Sequence, residues 1–259
     1  TDGIPNCMTA VGPAGLRIAP ECGVTTTAWP CATLLAATWN PNVVYQVGAA
    51  GGKEVKENNI AAWLTPALNI HRSPLCGRNF EYYSEDPLLA GVLAGAMVKG
   101  IQSQGVAATV KHFALNNKET DRKHSDSRVS ERAAREIYLK AFEYVIKGAK
   151  PWAVMSSYNI INGCYASENK ELLEDILRDE WGFDGMVTTD WWTLGEHYKE
   201  VKAGNDMKMA CGDPKRLKEA MDQGLLTRQD LEHCAERVLN LILKLDSVSY
   251  THLTLPTNS

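Results

Sequence analysis

Short apolar runs alternate along this chain with longer amphipathic stretches, and nearly every run ends in a cluster of polar residues. A strand buried on both faces reads as a continuous apolar run, whereas a helix covering it shows apolar residues at three- and four-residue spacing. The alternation therefore predicts an α/β fold built from βα units around a parallel sheet. Strands are expected over residues 6–11, 61–68, 106–110, 152–156, 186–189 and 206–209. Asp86 and Pro87 supply a cap and a first-turn proline for a helix running to residue 104. Ser130 and Glu131 open a second helix, with Ala134, Ile137, Tyr138, Ala141, Phe142 and Val145 on its apolar stripe. A third is expected over 168–181, closed by Gly182, and a fourth between Pro214 and Gly224. Thr227 caps the last, whose face carries Leu231, Cys234, Val238, Leu241, Ile242 and Leu245.

Length sets the scale of the sheet. The 259 residues suit one (β/α)8 barrel, for which about 250 is typical. Thr1-Asp2-Gly3 is not a natural start, and a barrel incomplete at its N-terminus is the expectation. Residues 1–246 are expected to form the barrel domain. Residues 247–259 lack periodicity and read as a non-native tail. With 27 Lys+Arg against 31 Asp+Glu, the net charge is −4 and no basic block stands out, which argues against nucleic acid and membrane surfaces as partners. The seven cysteines are widely spaced and include no Cys-x-x-Cys, so reduced thiols in a cytoplasm are expected rather than a disulfide framework or a zinc site.

In parallel α/β folds the loops at the carboxyl ends of strands converge on one mouth. Four successive predicted strands end in hydrogen-bonding groups. Asn69, His71 and Arg72 lead to Arg78 and Glu81; Lys111 and His112 lead to Asn116, Asn117 and Glu119; Ser157, Tyr158 and Asn159 follow the next; and Asp190, Trp191 and Trp192 follow the last. Taken singly, an Asp after a strand is more often a helix cap, and paired tryptophans are more often core. Taken together, an anion, two cations, a tyrosine and paired indoles suit a polyhydroxylated ligand, with aromatic faces covering sugar C–H surface.

At these residues the chain resembles a known family. The segments 12–17, 77–87, 111–117, 155–159 and 181–191 are similar, in order and spacing, to the N-terminal barrel domain of glycoside hydrolase family 3, in its β-glucosidase-like branch. The resemblance implies hydrolysis of terminal non-reducing β-D-glucosyl or related residues by a retaining mechanism, in carbohydrate metabolism. A carboxylate would attack the anomeric carbon, while a second carboxyl about 5 Å away protonates the leaving oxygen. Asp190 falls on the family nucleophile. Arg78, Lys111, His112, Tyr158, Met155 and Trp191 fall on substrate-binding positions, with Lys111 and Arg78 as the cations placed to favour an ionised nucleophile. Glu81 is expected to orient Arg78, and Asp184 to be a structural turn residue. No metal and no cofactor are implied.

Two departures accompany the resemblance. The family usually has Asp immediately before the Gly-Pro-Ala-Gly-Leu-Arg segment, to accept hydrogen bonds from the sugar; here that position is Val11. In this branch the acid/base is generally a Glu from a second, downstream domain, the expected partner of this one, and no residue of residues 1–246 takes that role. The alternatives are a non-catalytic sugar-binding remnant, a β-N-acetylglucosaminidase or β-xylosidase activity, and a lysine-based barrel using Lys111. The N-acetylglucosaminidase branch uses a His-Asp pair after Lys-His, for which His124 and Asp126 are the nearest candidates.

Overall fold

The computed structural model describes Ile4 and residues 7–250, with side chains described as far as Leu245. In chain order the strands are β1 (Thr9–Ala10), β2 (Ala62–Trp63), β3 (Ala107–Phe113), β4 (Asp126–Ser127), β5 (Ala153–Ser156), β6 (Ile160–Ile161), β7 (Cys164–Tyr165) and β8 (Met186–Thr189). The helices are α1 (Ala32–Ala37), α2 (Pro41–Glu57), α3 (Pro87–Gln102), α4 (Glu131–Ala133), α5 (Lys140–Ala149), α6 (His197–Ala203), α7 (Pro214–Asp222) and α8 (Arg228–Tyr250). A π-helical turn, Ala134–Tyr138, joins α4 to α5, and a π-helix, Glu171–Glu180, precedes β8.

Five strands form a parallel sheet in the order β1-β2-β3-β5-β8, curled into a half-barrel. Residues near the amino ends of its strands, Ala62, Ala107, Ala153 and Met186, pack on Leu241 and Leu245 of α8. Three of these four are alanines, and the small side chains let α8 close that end. The larger core lies between sheet and outer helices, where Phe113 meets Phe142 and Trp181 edge-on at 5.1 and 5.8 Å. With the amino end sealed by apolar packing, the polar strand termini gather at the carboxyl end.

Several expectations are corrected. The 61–68 run is regular only at Ala62–Trp63, because Pro66 has no N–H to give to a ladder; the Thr65 and Pro66 carbonyls still accept from Thr109 and Lys111 at 3.0 Å, and Leu68 donates to the Lys111 carbonyl at 2.8 Å. β3 runs three residues beyond its expected end, so Lys111 and His112 belong to the strand rather than to a loop. Residues 206–209 make bridging hydrogen bonds to β8 without becoming a regular strand. Ile137 is exposed, not part of the buried stripe that Ala141, Phe142 and Val145 form. Helices α1, α2 and α6 escaped the pattern. In α2 the glycines look like breakers, yet they admit α3: a Cβ on Gly48 would lie 2.6 Å from the Met97 carbonyl oxygen of α3, and one on Gly100 of α3 would lie 2.3 Å from the Tyr45 carbonyl oxygen of α2. The small ribbon β4-β6-β7 was likewise not legible. Asp2, Asn6 and residues 251–259 of the expected tail lie outside the described residues, while the backbone of α8 continues to Tyr250.

Candidate active site

The turn after β1 forms the first wall. Gly12 and Gly15 have φ of 117° and 141°, and a Cβ on Gly12 would fall 1.7 Å from the Gly15 carbonyl oxygen. Only glycine fits a turn this tight. It closes through Gly15 N–H donating to the Gly12 carbonyl (3.1 Å) and Arg17 N–H donating to the Val11 carbonyl (3.0 Å), which brings Val11 and Arg17 to one rim.

β2 and β3 supply the cationic wall. The Asn69 amide holds the His112 backbone from both sides, donating to its carbonyl at 2.8 Å and accepting from its N–H at 2.9 Å. Arg78 donates through Nε to Glu81 and, 3.0 Å away, through Nη2 to His112 Nε2. Since Nε2 accepts, the ring proton sits on Nδ1, which is buried without a partner. Burial, then the charges of Arg78 and Lys111, push His112 well below its ordinary value, so the ring is neutral at pH 7. Burial is the largest single influence on the Arg78 guanidinium and would lower it, but the hydrogen bond to Glu81 together with the charges of Tyr82, Glu81 and Glu119 outweighs it and holds the group above its usual range. Lys111 is pushed down to about 8, chiefly by burial, with Glu81 and Asp190 opposing that shift.

β8 delivers the carboxylate. Asp190 donates its N–H to the Ser156 carbonyl at 3.1 Å, its Oδ1 accepts from Trp191 N–H at 2.7 Å, and its Oδ2 stands 3.8 Å from His112 Nε2. The residue is 7% exposed, enough to face a ligand. Tyr158 hydrogen-bonds to Asp190, and burial together with that carboxylate pushes the phenol up. The Arg122 guanidinium covers the Tyr158 ring at 4.5 Å.

These groups enclose a cavity of about 600 Å³, within the range of small-molecule sites. Of the expected site residues, Arg78, Lys111, His112, Met155, Asp190, Trp191 and Glu81 line it. Tyr158 reaches Asp190 but lies off the cavity wall, its ring shielded by Arg122 and Lys123. Trp192 points away and is 63% exposed. Val11 lines the cavity, while His124 pairs with Asp121 and Asp126 with Arg128, away from it. Sequence reasoning missed Arg17, Phe80 and Arg122 on the wall. Arg17 and Phe80 fall inside segments already singled out, but Arg122 sits in a charged stretch that reads as a solvated loop. Among the described residues no group of three or more His, Cys, Asp and Glu is placed to hold a metal ion, and no helix is long and apolar enough to cross a membrane.

Fold and cavity together define a parallel α/β domain with a polar, ligand-sized site at the carboxyl ends of its strands. The family model described as "Glycosyl hydrolase family 3 N terminal domain" matches residues 18–241, and the chain belongs to that family. It is 66% identical over 230 residues to "Beta-glucosidase A" of Butyrivibrio fibrisolvens, covering 89% of this chain and 28% of that protein. It is 44% identical to "Exo-alpha-(1->6)-L-arabinopyranosidase" of Bifidobacterium longum, covering 93% of this chain and 33% of that protein. Among solved structures, β-glucosidase 3B from Thermotoga neapolitana in complex with glucose superposes with a TM-score of 0.91 at 46% identity, covering 96% of this chain and 37% of that one. The chain thus spans about a third of the length of the relatives it matches.

Proposed function

We propose that this domain carries the sugar-binding and nucleophile half of a retaining β-glucosidase-type hydrolase acting on terminal β-D-glucosyl or closely related residues. The observation that carries the reading is the Asp190 carboxylate in a cavity walled by Arg78, Lys111 and neutral His112. Asp190 is assigned as nucleophile. Its Oδ1 is held by the Trp191 N–H, which leaves Oδ2 to attack the anomeric carbon. Arg78, oriented by Glu81, donates with Lys111 to sugar hydroxyls, the Nε2 edge of His112 lines the same binding wall beside Asp190, and Met155 and Trp191 cover the ring faces. Tyr158 positions Asp190 through its hydroxyl. The chemistry assigned to these side chains uses no metal and no cofactor.

The leaving oxygen needs an acid. Among the described residues that line the cavity the carboxylates are Asp190 and Glu81, and Glu81 is engaged by Arg78. The proton donor is therefore assigned to a second domain of the same protein, in line with the greater length of the relatives. Residues 1–246 are assigned to a (β/α)8-like barrel domain that is incomplete at its N-terminus. The free thiols of all seven cysteines fit a reducing, cytoplasmic setting.

One observation favours a second reading. Val11 lines the cavity where a sugar-binding carboxylate is expected, and it can accept no hydrogen bond. That favours a weakened site that binds sugar without turning it over. A 2-deoxy-2-fluoroglucoside with an activated leaving group separates the two, since such a leaving group departs without acid assistance. Intact-mass spectrometry is expected to show one adduct on this chain and none on Asp190→Ala, with thermal unfolding unchanged. No adduct on the parent chain, together with measurable glucose binding, would leave the sugar-binding remnant standing.

A further inference from the structure

The loop that leaves Asp190 is held by a buried polar ring that the proposed chemistry does not use. Glu200, on α6, is 0% exposed. Its Oε1 accepts from Thr193 Oγ1 at 2.6 Å and from Ser167 Oγ at 2.9 Å, and its Oε2 accepts from Lys208. Lys208 also donates to Thr193 Oγ1 at 3.1 Å and to the Gly195 carbonyl at 3.2 Å. All three ammonium protons are thereby used, and the Thr193 hydroxyl both donates and accepts within the ring. Gly195 is pressed onto it: a Cβ there would lie 2.6 Å from Glu200 Oε1. The backbone around it is stitched the same way, with Met209 N–H donating to Thr189 Oγ1 and Trp192 N–H to the Met209 carbonyl, each at 2.9 Å.

A buried ion pair is a poor device for stability alone, since the loss of hydration offsets most of the attraction and an apolar pair of similar size often does as well. What this pair adds is geometry. Two of its hydrogen-bonding partners, Thr193 and Gly195, lie within five residues of Asp190, on the segment that carries Trp191.

We propose that Glu200, acting with Lys208, is a positioning residue of this site: it fixes the loop 190–195 so that the Asp190 carboxylate and the Trp191 indole keep their places in the cavity. The consequence for chemistry rests on the hydrolase reading above; the consequence for the loop does not.

Three variants of this chain test it. The pair Glu200→Met/Lys208→Met keeps volume and removes every polar contact; Glu200→Gln/Lys208→Gln removes the charges and keeps groups able to bond to Thr193, Ser167 and Gly195; Thr193→Val removes one hydroxyl from an intact pair. The readouts are the 19F resonance of Trp191 in protein labelled with 5-fluorotryptophan, assigned through Trp191→Phe, the melting temperature, and the rate of adduct formation with the activated 2-deoxy-2-fluoroglucoside. In the methionine pair the Trp191 resonance is expected to shift and broaden, and the adduct rate to fall roughly 10- to 100-fold, as for a displacement of about 1 Å. The glutamine pair is expected to restore a sharp resonance and most of the rate. A merely structural role would change the melting temperature and leave the Trp191 resonance where it was. An unchanged resonance in the methionine pair, or in Thr193→Val should that pair fail to fold, overturns the proposal. If the parent chain forms no adduct the hydrolase reading fails, and the Trp191 resonance still decides the positioning claim.

Discussion

Lys111→Met is expected to make the protein more stable at pH 7, because the lysine it replaces is held in the cavity at an energetic cost. Burial takes the ammonium from an ordinary 10.5 to about 8, net of the attraction of Glu81 and Asp190; at 1.36 kcal/mol per pH unit this is a cost of about 3 kcal/mol. For a domain of this size that corresponds to a rise in melting temperature of roughly 5–10 °C. The pH dependence carries the sign. Below pH 8 the native and unfolded chains both hold the proton, so the cost is present in full. Between 8 and 10.5 the native chain releases the proton first and the unfolded chain binds more, so the stability attributable to this group rises with pH. Above 10.5 both states are neutral and the cost is gone. Thermal melts of the parent chain and the variant across this window, compared at each pH, cancel the groups they share. The gap is expected to be widest near pH 7 and to close by pH 10.5 as the parent chain catches up. A variant less stable than the parent at pH 7, or a gap that does not change with pH, would refute the assignment of Lys111 as a charge buried against its own preference.

Two further outcomes test the packing and the sugar contact. Val11→Asp places an acceptor on the cavity wall and is expected to tighten glucose binding by about 10- to 100-fold in titration calorimetry, the value of one charged hydrogen bond; unchanged affinity would remove residue 11 from the sugar site. Gly100→Ala sets a Cβ 2.3 Å from the Tyr45 carbonyl oxygen and 2.8 Å from the Ala49 nitrogen, both backbone, and is expected to cost at least about 2 kcal/mol in urea unfolding; a smaller loss would mean that α2 and α3 are less tightly apposed than their glycines indicate.

The parts of the fold legible in the sequence are those whose burial is continuous. The Met186–Thr189 strand coincides with its apolar run, and α3, α7 and α8 begin at the caps Asp86, Asp213 and Thr227. Polarity hid the rest. Lys111 and His112 look like a solvated loop, yet they are strand residues enclosed by Asn69, Arg78 and Glu81, a closure that exists only after residues more than 30 positions apart have met. The glycines of α2 resemble a break because their reason, the close approach of α3, is likewise remote in sequence. The site was more legible than the fold around it, since its residues lie in motifs at strand ends. Arg122 escaped because its partners, Glu119 and the face of Tyr158, are a neighbour of ordinary surface type and a ring delivered by another strand.

The central claim is that Asp190 is the residue that bonds to sugar, and peptide mapping of the trapped chain tests it most directly. After reaction with the activated 2-deoxy-2-fluoroglucoside and digestion at low pH, the added mass is expected on the peptide containing Asp190 and on that carboxylate within it. An adduct on Glu81, on Lys111 or on any other residue would contradict the account.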